Sequence, residues 1–277
     1  DKKMLKILRS PPFLFLFPAI LVMASIALFP FFYSLYLSTY NINLTRPARA
    51  MFIGLRNYLN ATKDPRVFNA FKITFFLILG AILGEAVLGL AISSLLYRLF
   101  RVNLLINTLI IIPMLMPRVV VGLLWRIMYN PLLGVINYFL SFLGIGSTEW
   151  LSNQYTALPA VIITDIWQWT PFMILILLAG LEALPDEPFE AARIDGATGW
   201  QMFRFVTLPL LMPVLTVAIM FRIMDALRTF DVIYVMTGGG PGVTTETVDI
   251  YAYFIGMSRA GKISYAATIA VIMQFIT

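Results

Sequence analysis

The stretch Leu184-Pro185-Asp186-Glu187-Pro188-Phe189-Glu190-Ala191-Ala192-Arg193-Ile194-Asp195-Gly196-Ala197-Thr198-Gly199-Trp200-Gln201 is a polar interruption in an otherwise apolar chain. Asp186 stands where a helix N-cap belongs and Pro188 suits the first turn. Asp186, Glu187 and Glu190 place negative charge where the helix dipole favours it. Gly196 then fits a left-handed stop. Thr198 and Gln201 have the spacing of a capping box that opens a second helix, which enters an apolar run near Pro209. The local signals predict a helix-turn-helix lying at the edge of apolar structure.

Outward from that stretch, the chain is 60% hydrophobic and 12% charged, with a mean hydropathy of +0.86. A soluble domain of this length cannot hide so much apolar surface, so the chain belongs in a bilayer. The apolar runs do not alternate as barrel strands would, and a spanning helix needs about 20 apolar residues. Six helices are expected, over about 13–37, 68–97, 104–129, 156–181, 208–230 and 263–277. The last run is too short for about 30 Å of hydrocarbon and reads as a span cut short. The first follows Lys2, Lys3, Lys6 and Arg9, but it exceeds a signal-peptide core and lacks a small-residue cleavage site, so it reads as a retained helix.

With the N-terminus inside, cytoplasmic segments carry Lys2, Lys3, Lys6, Arg9, Arg98, Arg101, Arg193 and Arg204. The first external loop holds Arg46, Arg49, Arg56, Lys63 and Arg66, so charge alone is a weak guide to sidedness. The short basic turn at 98–101, set against a 130–155 loop with no Lys or Arg, favours this topology. The net charge of +6 is accounted for by membrane flanks. Nothing interleaves aromatics with bases as a nucleic-acid site would.

Glu190-Ala191-Ala192, three residues, Gly196, nine residues, Val206, one residue, Leu208-Pro209 closely resembles the EAA loop of binding-protein-dependent ABC importer permeases, which usually has Ile where Val206 stands. The likeness extends to Trp125 with Asn130-Pro131, Gly134 and Asn137, to 167–171 and 181–185, to Asp195-Gly196-Ala197, and to Thr237 with the glycines before Pro241. It is similar to the sugar branch, maltose-type, in its larger membrane subunit. The resemblance implies an all-α integral membrane protein with the six-helix type I importer fold, a single transmembrane domain over 1–277. It also implies a cytoplasmic coupling loop at 186–207 in which Glu190, Ala191, Ala192, Asp195 and Gly196 dock on an ATPase. The implied partners are a second permease, two ATP-binding subunits, an extracytoplasmic solute-binding protein, the lipid bilayer and a small solute, with location in a prokaryotic inner or plasma membrane.

The chain has no His and no Cys, which removes disulfides and the usual ligands of zinc and iron. No metal site and no catalytic residue is expected. Gly256-Met257-Ser258-Arg259-Ala260-Gly261-Lys262-Ile263 nearly spells a phosphate loop. Ile263 stands where Ser or Thr would bind magnesium, and no buried strand precedes it. The expectation is therefore no cofactor on this chain, with ATP and magnesium on partner subunits. Gly80 and Gly84 have the spacing of a helix-packing face. The sequons at Asn43 and Asn60 arise often by chance and carry no weight.

Ionisable groups inside spanning helices are costly, and each is a functional candidate by default. They are Glu85, Arg118, Arg126, Asp165, Arg222 and Asp225. Arg222, Asp225, Ala226 and Thr229 share one helical face, and Asp165, Gln168, Trp169 and Phe172 share another. Such stripes suit a sugar path, because carboxylates and amides meet hydroxyls while rings stack on the apolar sugar face. By resemblance they correspond to the sugar-contacting positions of maltose-type permeases. The plainer reading is that Arg222 and Asp225 pair with each other, three residues apart, or with a neighbouring subunit, for structural reasons. Trp167 and Trp169 equally suit packing or the membrane interface. Pro113 and Pro117 beside Arg118 and Arg126 predict a kinked, cavity-lining helix, and Glu85 has no assigned role. The expected function is the permease half of an ATP-driven sugar importer working by alternating access. Glycerol phosphate or a polyol is the alternative solute. A gradient-driven transporter would show an internal repeat, and an intramembrane enzyme has no clustered carboxylate pair to use.

Overall fold

The computed structural model describes residues 11–45, 50–99 and 104–277. Lys2, Lys3, Lys6, Arg9, Arg46, Arg49 and Arg101, which enter the sidedness argument, lie outside the described residues, as does the side chain of Arg98. In chain order the elements are α1 (Pro11–Ser38), strands β1 (Tyr40–Asn41) and β2 (Met51–Phe52), α2 (Arg56–Ala61), α3 (Pro65–Leu99), α4 (Leu104–Leu115), α5 (Arg118–Met128), α6 (Val135–Ser141) and α7 (Ala157–Glu182). They continue with α8 (Glu187–Ile194), α9 (Gly199–Met202), a π-helical turn Phe203–Thr207, α10 (Leu208–Ala226), α11 (Asp231–Met236), α12 (Val248–Tyr253), a second π turn Phe254–Ser258 and α13 (Ile263–Ile276).

Of the six expected spans, α1, α3, α7 and α10 with its α9 lead-in are long and apolar enough to cross a bilayer. The run at 104–129 is not one kinked helix: α4 and α5 meet at 97°. Pro117 sits at the N-cap of α5 in an extended conformation (φ −57°, ψ 137°). It has no N–H to donate and pushes the residue before it out of helical geometry, which is enough to end α4. The run at 208–230 also stops early, at Ala226, and the chain turns into α11. The sixth run, α13, is apolar but shorter than a full span.

The chain divides into two compact units, residues 1–68 with 251–277, and residues 69–250. In the first, α13 packs on α1, with Phe31 and Phe275 edge to face at 6.3 Å. β1 and β2 pair antiparallel, Tyr40 opposite Phe52. Asn57 of α2 donates to the carbonyls of Ser38 and Tyr40, each at 2.8 Å. That satisfies buried backbone groups where α1 ends, which an apolar side chain there could not do.

In the second unit α7 is the element the others pack on. Lipid tails are as apolar as Leu, so burial alone does not choose a neighbour, and close packing does. A Cβ on Gly80 or Gly84 of α3 would press on Ile162 or Ile166 of α7, and one on Gly89 would meet Met173 Cβ. The glycine spacing in the sequence is thus a packing face within the chain. Below it, Ile82, Met173 and Ala218 join α3, α7 and α10, as do Leu177, Leu181 and Leu211 with Leu90.

Candidate functional site

The polar segment at 184–201 folds as its local signals require. Asp186 occupies the N-cap position of α8 with Pro188 behind it, although its side chain makes no capping hydrogen bond. Glu187 and Glu190 lie in the first turn and Arg193 in the last, the arrangement the helix dipole favours. The helix ends in a Schellman pair, Ala197 N–H to Ala192 O at 2.9 Å and Gly196 N–H to Arg193 O at 3.1 Å. Gly196 has φ +76° and nothing within 4 Å of where a Cβ would point. The backbone therefore demands glycine there, while the space around it is open. Thr198 and Gln201 complete the capping box, with Thr198 N–H donating to Gln201 Oε1 at 2.7 Å and Gln201 N–H to Thr198 Oγ1 at 3.4 Å.

No residue of α8 or α9 is buried. Ile194 is 86% exposed and Trp200 67%, which is more apolar exposure than a solvated surface turn would show. Beneath the loop lies a cavity of about 640 Å³, walled by Leu90, Ser94, Phe189, Trp200 and Phe203 among others. Glu190, Ala191, Ala192, Asp195 and Gly196 are held on one short element, with all but the half-buried Ala192 exposed.

The second arrangement is a charge cluster among α3, α7 and α10. Arg222, 1% exposed, donates from Nε and Nη2 to the two oxygens of Glu85, at 2.6 and 2.7 Å. The same Nη2 reaches Asp165 Oδ2 at 2.7 Å, and Nη1 reaches Asp225 Oδ2 at 2.5 Å. Arg118, at the start of α5, closes the chain of pairs by donating to Asp225 Oδ1 at 2.6 Å and to the carbonyl of Arg228 at 3.3 Å. Trp169 lies under both guanidiniums, 4.7 Å from Arg222 Cζ and 5.3 Å from Arg118 Cζ. A planar guanidinium is the group that can serve a carboxylate through two parallel bonds while stacking on a ring.

Of the two sequence-derived stripes, Asp165, Trp169, Arg222 and Asp225 meet in this cluster, and Phe172 packs edge-on against Trp169 at 6.4 Å. Gln168 is buried and donates Nε2 to the carbonyl of Met116, the group freed by the α4 to α5 break. Its Oε1 and the Thr229 hydroxyl have no hydrogen-bond partner among the described residues. Ala226 is buried. Thr229 lies past the end of α10, so the helical face that sequence spacing assigns it does not exist there. Arg126 instead donates to Val235 O of α11 at 3.1 Å.

Glu85, without a role in the sequence reading, is the bidentate partner of Arg222. The available signal was the rule that an intramembrane Arg needs an acid, but sequence spacing does not reach across helices. Exposure separates the members: Glu85, Asp165 and Arg222 are sealed, whereas the side chains of Arg118 and Asp225 are 20% and 37% exposed. The sealed three form a frame and the other two an accessible edge.

With this geometry in place, residues 77–277 match the family model described as binding-protein-dependent transport system inner membrane component. The chain is 38% identical over 227 residues to the trehalose/maltose transport system permease protein MalF of Thermococcus litoralis, covering 81% of this chain and 77% of the relative. It is 34% identical over 260 residues to the sulfoquinovosyl glycerol transport system permease protein SmoG of Agrobacterium fabrum, 94% and 84%. Against the trehalose permease SugA of Mycobacterium tuberculosis the figures are 36% over 245 residues, 88% and 78%. Among solved structures, a bacterial ABC transporter that imports the acidic polysaccharide alginate superposes with a TM-score of 0.81 at 20% identity, covering 99% of this chain and 94% of that one. The likeness is one of fold.

Proposed function

Because this chain belongs to the binding-protein-dependent transport system inner membrane components, we propose that it is the permease subunit of an ATP-driven sugar importer. In this reading it forms half of the path of a di- or oligosaccharide. The observation that carries the reading is the exposed helix-turn-helix bearing Glu190, Ala191, Ala192, Asp195 and Gly196 at the family spacing. An element with no buried residue, a glycine-terminated helix and exposed Ile194 and Trp200 is built to be covered by another protein. That protein is an ATP-hydrolysing subunit, because this chain offers no phosphate loop. Closure of two such subunits draws the coupling helices together, and the membrane helices turn outward to receive solute from an extracytoplasmic binding protein.

Within the path, Glu85, Asp165 and Arg222 hold α3, α7 and α10 in register. Asp225, Arg118 and the ring of Trp169 face the solute. A half-open carboxylate beside a guanidinium and an indole suits sugar hydroxyls and an apolar sugar face. The sulfoquinovosyl glycerol relative keeps a second solute class in view, a glycosyl glycerol or related polyol derivative.

The test is uptake into vesicles that contain the chain with its partner permease and ATPase subunits, with ATP inside and no ion gradient. Solute-loaded binding protein is supplied outside. ATP-dependent accumulation is the expected result. Uptake that collapses with an ionophore and ignores ATP would overturn the proposal. Titration of the cognate binding protein with disaccharides, oligosaccharides, polyols and glycerol phosphates chooses the solute class.

A further inference from the structure

A polar pocket of about 510 Å³ lies wholly within the first compact unit, between the 41–43 segment, α2 and the 255–265 segment. Its walls are immobilised by direct bonds. Ile42 N–H donates to Ser264 Oγ at 3.0 Å, Leu44 N–H to Gly261 O at 2.7 Å, and Asn43 Nδ2 to Ala260 O at 3.3 Å. Gly261 (φ +64°) sits so close that a Cβ would meet Asn43 Oδ1 at 2.9 Å. Lys262 is held in turn by its N–H on Ile255 O at 2.9 Å.

The charges around this cavity do not balance. Its one acid, Asp64, is fully engaged: Oδ2 accepts from the hydroxyls of Tyr251 and Tyr265 at 2.7 and 2.9 Å, and Oδ1 from Arg66 N–H at 2.9 Å. The two bases, Lys63 and Lys262, have no carboxylate partner among the described residues, and the amide of Asn60 beside them is also uncommitted. A rigid, amide-lined pocket with two unspent ammonium groups complements an anion with hydrogen-bonding oxygens better than a neutral hydroxyl. Leu44, Met51, Phe52, Leu55 and Leu59, in the same connection between α1 and α3, are each more than half exposed although they lie outside every candidate span. Exposed apolar residues next to a charged socket have the make-up of a protein docking surface.

We propose that this pocket is a socket for a carboxylate side chain of the extracytoplasmic solute-binding protein, with Lys63 and Lys262 as its cationic arms. The proposal rests on the importer reading and on the connection between α1 and α3 facing outward. It assigns to this unit an electrostatic docking point that is separate from the solute path.

The test uses the complete assembly in lipid nanodiscs and measures binding of fluorescent solute-binding protein directly, alongside the uptake assay. Lys63→Glu combined with Lys262→Glu is expected to raise the half-saturating concentration of binding protein by about 10-fold or more and to flatten its salt dependence, leaving the maximal rate unchanged. Lys63→Gln with Lys262→Gln gives a smaller shift in the same direction. An acid-to-Lys change on the binding protein restores affinity to the reversed variant. Unchanged half-saturation in both double variants overturns the proposal, as does a lower maximal rate at unchanged half-saturation. Competition by free glutarate, with no effect of charge reversal on protein binding, would reassign the pocket to a small anion. Absence of ATP-driven uptake in the wild-type assembly would count against the importer reading alone, because docking is read separately.

Discussion

Arg222 has the most to lose of any side chain in the cluster. It is buried with Glu85 and Asp165, and each acid is stable there only because the guanidinium supplies both charge and hydrogen bonds. Removing one member of a buried pair leaves the other uncompensated and costs about 3–5 kcal/mol. Arg222→Ala is therefore expected to lower the thermal unfolding midpoint of the purified assembly clearly. Arg222→Lys should recover only part of the loss, because one ammonium cannot serve three carboxylates in fixed directions. Glu85→Gln, which keeps size and an acceptor, should cost less than Arg222→Ala; equal stability of all four proteins would show that the cluster bears no structural load.

Asp64 tests a different residue-scale claim. Burial pushes its carboxyl up, but the hydroxyls of Tyr251 and Tyr265 and the N–H groups of Arg66 and Val67 outweigh this and hold it below the usual range. A carboxyl with a lowered folded pKa stabilises the fold above the ordinary Asp value of about 3.9, and the gain is lost as pH falls through the lower folded value. Asp64→Asn should remove that acid-side loss from the unfolding profile while also lowering stability at neutral pH. An identical acid limb in the variant would contradict the assignment. Helical periodicity put Arg222 and Asp225 on one face, as observed. It could not pair Arg222 with Glu85, 137 residues away in sequence.

At the scale of elements, the α3 to α7 crossing is set by small residues. At Gly84 the obstacle to a Cβ is the far end of Ile166, which can move, whereas at Gly89 it is Met173 Cβ, which is fixed to the backbone. Gly89→Ala should therefore destabilise by about 1–3 kcal/mol through overpacking, and Gly84→Ala by less. Denaturation of the two variants in the same detergent checks the order, and the reverse ranking would mean that the crossing relaxes freely. The glycine pattern was legible as a packing face, but its partner helix was not. The α4 to α5 break was legible only as proline content: Pro113 is accommodated inside α4 and Pro117 ends it. The break leaves the Met116 carbonyl outside both helices, and Gln168 of α7 satisfies it from across the bundle, a partner sequence spacing does not reveal.

For the whole molecule, the proposed coupling role of the 186–207 loop is where local structure would meet transport. Gly196 has a left-handed backbone and open space, so a bulky residue there both strains the turn, by about 1–2 kcal/mol, and stands out into the docking face. Gly196→Trp, and separately Glu190→Lys, are expected to leave the protein inserted while ATP hydrolysis proceeds without uptake. Vesicles assayed for both activities report this directly. Normal uptake in both variants would remove the loop from the coupling step.

The helix-turn-helix at 184–201, the apolar runs and the family could be read from sequence alone, because caps, turns and hydropathy depend on residues within a few positions of one another. The sealed Glu85, Asp165 and Arg222 frame, the accessible Asp225 and Arg118 edge, and the socket around Lys63 and Lys262 were decided by tertiary structure. Each depends on which distant helices or loops pack together, and so on which charges lose water and which keep it.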